Sequence, residues 1–172
     1  MRPPIFGITG WKNSGKTTLT ARLIAEFTGR GYRVCAVKRA HESFDIDQPG
    51  RDSYRLREAG ARRVLLSSPK RWALVHELYD EPEMPLDRLL AEAGGVVDLV
   101  LIEGYKREPF PKIEIRRDGG ASRQPLAGSA PQIVAIASDR PGEEADSLPV
   151  FHLDDVGGLA DFIAGYLRLA TA

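Results

Sequence analysis

Short apolar runs alternate with helical patterns along most of this 172-residue chain. The apolar run Ile5–Ile8 predicts a buried strand, and Leu19, Leu23 and Phe27 follow it at the four-residue spacing of a helix face. The same reasoning predicts strands at Val34–Val37, Val64–Leu66, Trp72–Val75, Asp98–Glu103, Ile133–Ile136 and Val150–Leu153, and helices at Arg51–Ala59, Leu86–Ala93 and after a cap at Asp154 or Asp155. This alternation predicts one α/β domain over residues 1–172, a doubly wound and mostly parallel sheet flanked by helices.

Two segments depart from this alternation. The short link Ser67–Lys70, which contains Pro69, predicts a hairpin between the third and fourth strands. In Lys112–Arg116, Ile113 and Ile115 alternate with charged residues, which predicts an edge strand or arm. An exposed edge strand invites pairing with a second chain, so this segment is also a candidate dimer surface.

A glycine-rich turn stands between the first predicted strand and the first predicted helix. Gly10–Thr17 matches the phosphate-binding pattern G-x-x-x-x-G-K-[ST], so the fold is expected to be P-loop NTPase-like. In that pattern main-chain N–H groups hold an oxyanion, Lys16 reaches the β- and γ-phosphates, and Thr17 ligates Mg²⁺. The alternative, a glycine turn with a surface lysine, leaves the paired hydroxyl residues Thr17 and Thr18 unexplained. The predicted nucleotide-binding residues of this loop are Gly10, Lys12, Asn13, Ser14, Gly15, Lys16, Thr17 and Thr18; for Lys12 a solvated loop position is an equal alternative.

A metal-binding carboxylate is expected at the end of a neighbouring buried strand. Glu103 has this place, because it ends the apolar strand that begins at Asp98 and ligands bind at the carboxyl edge of such sheets. Gly104 would let the backbone approach the γ-phosphate, and it is predicted to contact the nucleotide. Glu103 is therefore predicted to be catalytic and metal-binding, with a strand-end glutamate in solvent as the alternative. Asp98, at the opposite end of the strand, is expected to be structural.

Three further aspartates each have two interpretations. Asp45 and Asp47 follow the second strand and face the same edge, so Asp47 is predicted as a catalytic and metal-binding residue; solvation of the loop explains both residues equally well. The Asn/Thr-Lys-x-Asp motif that reads guanine in many P-loop proteins is absent. Asp139 follows a late buried strand and could accept from the N1 and N2 donors of guanine, although turn chemistry explains it equally well.

The charge is balanced overall but divided along the chain. Residues 1–72 contain 15 Lys and Arg against 6 Asp and Glu, whereas residues 73–172 contain 9 against 18. A phosphate-rich ligand explains the basic half, and so does pairing of oppositely charged protein faces. A third explanation is surface charge that is segregated along the chain but mixes in space. No nucleic-acid-binding motif is present, and no apolar run approaches the ~20 residues of a membrane span, so neither partner is expected. The single cysteine and the absence of a visible signal peptide predict a cytoplasmic protein.

Taken together, four segments resemble the MobB family of molybdopterin-guanine dinucleotide biosynthesis proteins. The most distinctive is Asp45–Ala61, which generic P-loop proteins lack. The others are the loop sequence over Gly10–Leu19, the short segment Arg71–Leu74 and the strand end Leu99–Lys106. These segments span roughly residues 5–110 of the chain.

The resemblance implies a homodimeric GTP-binding protein with weak, Mg²⁺-dependent GTPase activity. Such proteins assist the nucleotidyltransferase that joins GMP to molybdopterin, and the chain is expected to contact that enzyme and, as an open question, molybdopterin itself. Asp47, Asp52 and Ser53 carry over as site or switch residues. One departure is that the family commonly has several histidines after the second strand, where this chain has only His41.

Two other functions fit the same loop and fold. A small-molecule kinase would need a lid over an acceptor pocket, for which Gly119–Arg123 is the candidate segment. A non-catalytic nucleotide-dependent adaptor would bind a partner without turnover, and it overlaps with a GTPase whose hydrolysis is vestigial.

Overall fold

The computed structural model describes residues 3–40, 44–92, 95, 97–122, 124–143 and 147–170. The chain forms two compact units, of which the first comprises Met1–Arg39 with Gly94–Ala172 and the second comprises Ala40–Ala93. The assignment of residues 1–172 to a single domain stays a prediction.

The elements follow the predicted alternation, and their ends differ from the predicted ones by one or two residues at most. The strands are β1 (Ile5–Gly10), β2 (Val34–Lys38), β3 (Arg63–Ser67), β4 (Trp72–His76), β5 (Leu99–Glu103), β6 (Lys112–Arg116), β7 (Ile133–Ser138) and β8 (Val150–His152). The helices are α1 (Lys16–Gly29), α2 (Asp52–Glu58), α3 (Leu86–Glu92) and α4 (Val156–Leu167), with 3-10 turns at Ala127–Ser129 and Pro141–Glu143.

The first unit is built on one parallel sheet of six strands in the order β2-β5-β1-β6-β7-β8. Because all strands run the same way, their carboxyl ends lie at one edge of the sheet. β1 lies between β5 and β6, so the loop after β1 emerges beside the ends of both neighbours. The predicted class, a mostly parallel α/β sheet flanked by helices, is confirmed.

One face of this sheet carries the apolar core. α1 contributes Leu19, Leu23 and Phe27, and α4 contributes Leu159 and Ile163. These side chains pack on alternate residues of the four central strands: Phe6, Ile8, Leu99, Leu101, Ile113, Ile115, Ala135 and Ala137. Burial of this apolar surface, at roughly 25 cal/mol per Å², is the main favourable contribution to the stability of the unit.

The position of β6 corrects the prediction of an edge strand at Lys112–Arg116. β6 pairs with β1 on one side and β7 on the other, and all five of its residues are buried. Ile113 and Ile115 face the helices, whereas the charged residues between them point to the opposite face. Apolar and charged side chains do alternate between the two faces of β6, but the charged side chains face buried partners rather than solvent.

Those buried charges are paired within the described part of the chain. Arg116 donates to Glu114 at 2.9 Å, and the two side chains are 2% and 0% exposed. Glu114 also accepts hydrogen bonds from the main-chain N–H groups of Leu126 at 2.7 Å and Ala127 at 3.1 Å. A buried carboxylate needs such partners because burial without them is costly. Glu114 thereby ties the segment before β7 to the sheet.

Lys112 is accommodated because Gly7, on the adjacent strand, has no side chain. A Cβ at Gly7 would lie 2.7 Å from Lys112 Cγ and 2.6 Å from Phe110 Cε2. The Lys112 ammonium donates to the carbonyl oxygens of Glu108 and Phe110, the latter at 2.9 Å, and lies 3.8 Å from the centre of the Phe110 ring. Burial lowers the pKa of Lys112 to about 8.

Local features confirm two smaller predictions. The Asp155 side chain accepts a hydrogen bond from the N–H of Gly158 at 2.9 Å and so caps α4. Asp98 pairs with the guanidinium and main-chain N–H of Arg33, which lowers the pKa of the carboxyl to about 2. Asp98 therefore has a structural role, because it links the residue before β5 to Arg33, the residue before β2.

The second unit contains α2, α3 and the antiparallel hairpin β3–β4, as predicted from the link at Ser67–Lys70. Leu65 pairs with Leu74, and Trp72 pairs with Ser67, so all of them share one face of the hairpin. This face is open, since Leu65 and Trp72 are 66% and 63% exposed.

Among the described residues, no helix has both the length and the apolar character needed to cross a membrane.

The buried pair on β6 leads to a stability prediction. We expect Glu114→Ala to lower the free energy of unfolding by about 3–5 kcal/mol, because the substitution leaves the Arg116 charge buried without its carboxylate partner. Urea unfolding followed by circular dichroism measures the change. Glu26→Ala is the matched control, because Glu26 forms a half-exposed pair with Arg30 one turn along α1, worth about 0.3–0.5 kcal/mol. Equal losses in the two variants would contradict the structural role of Glu114.

Candidate functional site

The loop between β1 and α1 has the backbone that phosphate binding requires. Gly15 precedes α1 with φ 88°, and Asn13 also has positive φ, at 62°. Gly10 has φ 151°, and a Cβ there would lie 2.8 Å from Ser14 Oγ and 2.9 Å from the carbonyl oxygen of Ile115. Among the described residues no side chain caps the first turn of α1. The N–H groups and the dipole of this turn therefore suit an oxyanion.

Lys16, the first residue of α1, folds back over this loop. Its ammonium donates to the carbonyl oxygen of Trp11 at 2.7 Å, which holds the side chain along the loop. Burial lowers the pKa of Lys16; Glu103 opposes this shift, and the nearby ammonium groups of Lys106 and Lys38 add to it. Three lysines thus crowd around the loop, an arrangement that favours a multiply charged anion.

Thr17 and Glu103 meet at the carboxyl edge of the sheet, as the sequence predicted for a metal site. Thr17 Oγ1 lies 3.0 Å and 2.9 Å from the two carboxylate oxygens of Glu103. The Glu103 side chain is only 9% exposed. Lys38 Nζ lies 3.0 Å from Thr17 Oγ1 and 3.4 Å from Glu103 Oε1. A hydroxyl, a carboxylate and an ammonium group therefore contact one another beside the phosphate loop.

This donor set fits Mg²⁺ in the form that nucleotide sites use. Among the described residues no group of three or more His, Cys, Asp or Glu side chains could hold a metal by itself. Mg²⁺ is commonly bound by one or two protein oxygens together with substrate phosphates and water, rather than by a cage of protein ligands. Thr17 and Glu103 supply two such oxygens next to a loop built for phosphate.

A further segment packs against the phosphate loop. The N–H of Ala121 donates to the carbonyl oxygen of Lys12 at 2.8 Å, and Trp11 Nε1 donates to the carbonyl oxygen of Gln124 at 2.8 Å. Lys106 Nζ lies 4.6 Å from the centre of the Trp11 ring, within range of a cation–π contact. The chain after β6 thus holds the outer part of the loop in place.

Ser14 is enclosed by this arrangement. It is 1% exposed, and a Cβ at Gly120 would lie 3.6 Å from its Cα. Ser14 Oγ has no hydrogen-bond partner among the described residues. Its contribution to nucleotide binding, like those of Lys12, Asn13 and Thr18, stays a prediction.

Gly104 turns the backbone sharply after Glu103. Gly104 has φ 94° and the next residue, Tyr105, has φ 49°. The N–H of Gly104 donates to the carbonyl oxygen of Ile8 at 3.2 Å, which fixes the end of β5 to β1. This turn leaves the Glu103 side chain at the sheet edge, beside the first turn of α1.

Asp47 lies in the second compact unit and has partners there. Its carboxylate accepts from Ser53 Oγ at 3.0 Å and from Arg57 Nε at 2.9 Å, and the side chain is 9% exposed. Arg57 also bonds Asp45 at 2.7 Å and Glu77 at 2.6 Å. Asp47 therefore has a structural role in this unit, and its catalytic and metal-binding role stays a prediction.

Asp139 lies at the end of β7, where base recognition was predicted. One of its carboxylate oxygens accepts from the main-chain N–H of Asp118 at 2.7 Å, and Asp118 in turn forms an ion pair with Arg140. The carboxylate therefore helps to fix the ends of β6 and β7 together. Its reading of guanine stays a prediction.

The structure thus joins Lys16, Thr17 and Glu103 in one site and adds Lys38, which sequence reasoning missed. The sequence places Lys38 directly after the apolar run Val34–Val37, but its register with Glu103 on the neighbouring strand is visible only in the structure. Two predictions fall outside the described residues: the role of His41, and the Arg123 end of the candidate lid.

Comparisons with known proteins agree with the geometry. Residues 5–139 match the family model described as molybdopterin guanine dinucleotide synthesis protein B, MobB. A protein of Escherichia coli (strain K12) named molybdopterin-guanine dinucleotide biosynthesis adapter protein is 37% identical over 166 residues, covering 96% of this chain and 94% of the relative. A relative of the same name from Haemophilus influenzae is also 37% identical over 166 residues, with 96% and 90% covered. The crystal structure of a MobB protein homolog from Bacillus stearothermophilus matches with a TM-score of 0.71 and 28% identity, covering 95% of this chain and 97% of that one.

The contacts of Asp47 give a testable prediction. We expect Asp47→Asn to lower the free energy of unfolding by about 1.5–3 kcal/mol, because hydrogen bonds to charged groups contribute in this range. Asp45→Asn is the control, since Asp45, which accepts from Arg57 and from the main-chain N–H of Asp47, is 49% exposed; the loss of stability should stay below about 1 kcal/mol. Urea unfolding measures both variants. Unchanged stability together with an increased Mg²⁺ requirement for nucleotide binding would instead support the metal-binding role.

Proposed function

Because the chain belongs to the MobB family, we propose that it is a Mg²⁺-dependent GTP-binding adapter that assists the attachment of GMP to molybdopterin. The observation that carries this proposal is the contact of Thr17 with Glu103 beside a loop whose backbone suits phosphate. The family match and the names of the relatives support the biosynthetic setting.

In this proposal the residues of the first unit divide the work of holding a triphosphate. The main-chain N–H groups between Gly10 and Thr17 hold the phosphate oxygens, and Lys16 moves from the Trp11 carbonyl to the β- and γ-phosphates. Thr17 Oγ1 and the Glu103 carboxylate provide the oxygens that face the metal. Mg²⁺, when bound, neutralises charge on the β- and γ-phosphates.

Hydrolysis is proposed to be slow. Fast phosphoryl transfer to water uses a residue that orients the attacking water and an arginine that meets the transition-state charge, the latter worth about 10³–10⁵ in rate. The described side chains in contact with Thr17 are Glu103 and Lys38, which are neither arginine nor glutamine. One arginine, Arg117, does lie beside the loop, since its Nη1 would be 3.2 Å from a Cβ at Gly15. Binding and presentation of GTP to a partner therefore fit the site better than efficient turnover.

The remaining parts of the proposal concern specificity, partners and location. Guanine preference is assigned to Asp139, directly after β7, whose carboxylate would accept from the N1 and N2 donors of guanine. The partner is the nucleotidyltransferase that joins GMP to molybdopterin, and the protein acts with it in the cytoplasm. The exposed arginines Arg51, Arg55 and Arg63 of the second unit suit an acidic partner face or the phosphate of molybdopterin.

We further propose a homodimer formed through the hairpin β3–β4. The correction of β6 to an interior strand removes the dimer surface that the sequence indicated. The open hairpin face with Leu65, Trp72 and Leu74 replaces it, because contiguous exposed apolar side chains mark interaction sites.

Nucleotide binding is tested by substitution of the loop lysine. We expect Lys16→Ala to weaken Mg²⁺-dependent GTP binding by about 30-fold or more, since the loss of a charge-assisted contact in a desolvated site costs about 2–5 kcal/mol. Isothermal titration calorimetry with GTP and ATP, in Mg²⁺ and in EDTA, measures the effect. Lys70→Ala, in the exposed hairpin turn, is the matched control and should bind as the wild type does.

The wild type should prefer GTP over ATP and release phosphate slowly. Failure of the folded wild type to take up any purine triphosphate in Mg²⁺ would refute the proposal. Rapid phosphorylation of an added acceptor would identify a kinase instead.

The dimer is tested on the hairpin. We expect Leu65→Asp to shift the protein from dimer to monomer in light scattering coupled to size exclusion, because a charge would have to be buried in an apolar contact. Leu56→Asp is the control, since Leu56 is 53% exposed on α2 of the same unit. A dimer that survives Leu65→Asp would place the interface elsewhere.

A further inference from the structure

The Lys38 ammonium lies where a cation would balance Glu103. Lys38 is the last residue of β2 and pairs in register with Glu103, the last residue of β5, so adjacent parallel strands bring the two side chains to the same edge. Lys38 Nζ is 3.0 Å from Thr17 Oγ1 and 3.4 Å from Glu103 Oε1. These two oxygens are the ones assigned to the metal in the proposed function.

The negative charge of Glu103 explains why an ammonium group occupies this position. The Glu103 carboxylate is 9% exposed, and a carboxylate so far removed from water needs a counter-charge. Within the described chain, Lys38 is the cation in contact with it, since the Lys16 ammonium donates to the Trp11 carbonyl instead. The lysine thus performs the electrostatic task that a metal ion performs in a loaded nucleotide site.

We propose that Lys38 is an internal counter-ion that is displaced when Mg²⁺ binds to Thr17 and Glu103. The Thr17 oxygen accepts from the ammonium and donates its own proton to Glu103, so both roles are in use. A metal at the Thr17 and Glu103 oxygens would share them with the ammonium, and two cations held so close together repel each other strongly, which drives the flexible lysine out. The identity of the metal rests on the proposed function; the role of Lys38 toward Glu103 does not.

The side chain is able to leave. Lys38 is 57% exposed, and its four-carbon stem is flexible, so the ammonium can move into solvent without a change in β2. The consequence is competition: the lysine suppresses binding of Mg²⁺ alone, and the site takes up the metal readily only with the added negative charge of a nucleotide.

The test uses the full chain with Lys38→Met, which keeps the length of the side chain and removes the charge. Lys70→Met, in the hairpin turn, is the matched control, and Lys38→Arg keeps the charge. Two measurements are made on each protein. One is the Mg²⁺ concentration for half-maximal GTP binding, and the other is the melting temperature with and without Mg²⁺ in the absence of nucleotide.

Displacement predicts that Lys38→Met lowers the Mg²⁺ requirement at least about fivefold, the lower end of typical coupling between two ligands. Without nucleotide, Mg²⁺ should raise the melting temperature of Lys38→Met but leave the wild type, Lys38→Arg and Lys70→Met nearly unchanged. An unchanged or increased Mg²⁺ requirement, or no stabilisation of Lys38→Met by Mg²⁺, would overturn the inference. Should no variant bind GTP, the proposed function fails, whereas the melting measurement still decides the role of Lys38.

Discussion

The buried carboxylate of Glu103 is the constraint on which the site depends. A charge at the end of a central strand is stable only with partners, and the parallel sheet supplies them by aligning the carboxyl ends of β2, β1 and β5. Thr17 comes from the helix after β1, and Lys38 comes from the end of β2. One charge thus links two strands and a helix, and the phosphate loop is held between them.

The sequence was sufficient for the elements and for part of the site, because each rests on local signals. Apolar periodicity located the strands, and the loop pattern fixed Lys16 and Thr17. Glu103 followed from one rule, that ligands meet at the carboxyl edge of a parallel sheet. Lys38 obeys the same rule but was not identified, because strand order decides which ends are neighbours. The order β2-β5-β1 is a non-local property that a single sequence does not display.

The failure at β6 has a different physical cause. Alternation of charged and apolar residues normally indicates a strand with one solvent-exposed face and one buried face. In β6 both faces are buried, since Glu114 and Arg116 pair with each other and Lys112 bonds to main-chain carbonyls. Period-two patterns report which side chains share a face, but only tertiary partners decide whether that face meets water. The same limit applies to Asp47, whose carboxylate accepts from Arg57, a residue that the sequence presents only as one of the 15 Lys and Arg of positions 1–72.

The close contact at Gly7 has a consequence for how this protein can diverge. The space above the glycine is filled by the Lys112 stem and the Phe110 ring, and the ring also lies against the ammonium. A larger residue at position 7 is tolerated only if both neighbours shrink or turn away, and a shorter residue at position 112 opens a void that a methyl group at position 7 would fill. Positions 7, 110 and 112 should therefore vary together among related sequences, although position 7 lies more than a hundred residues before the other two.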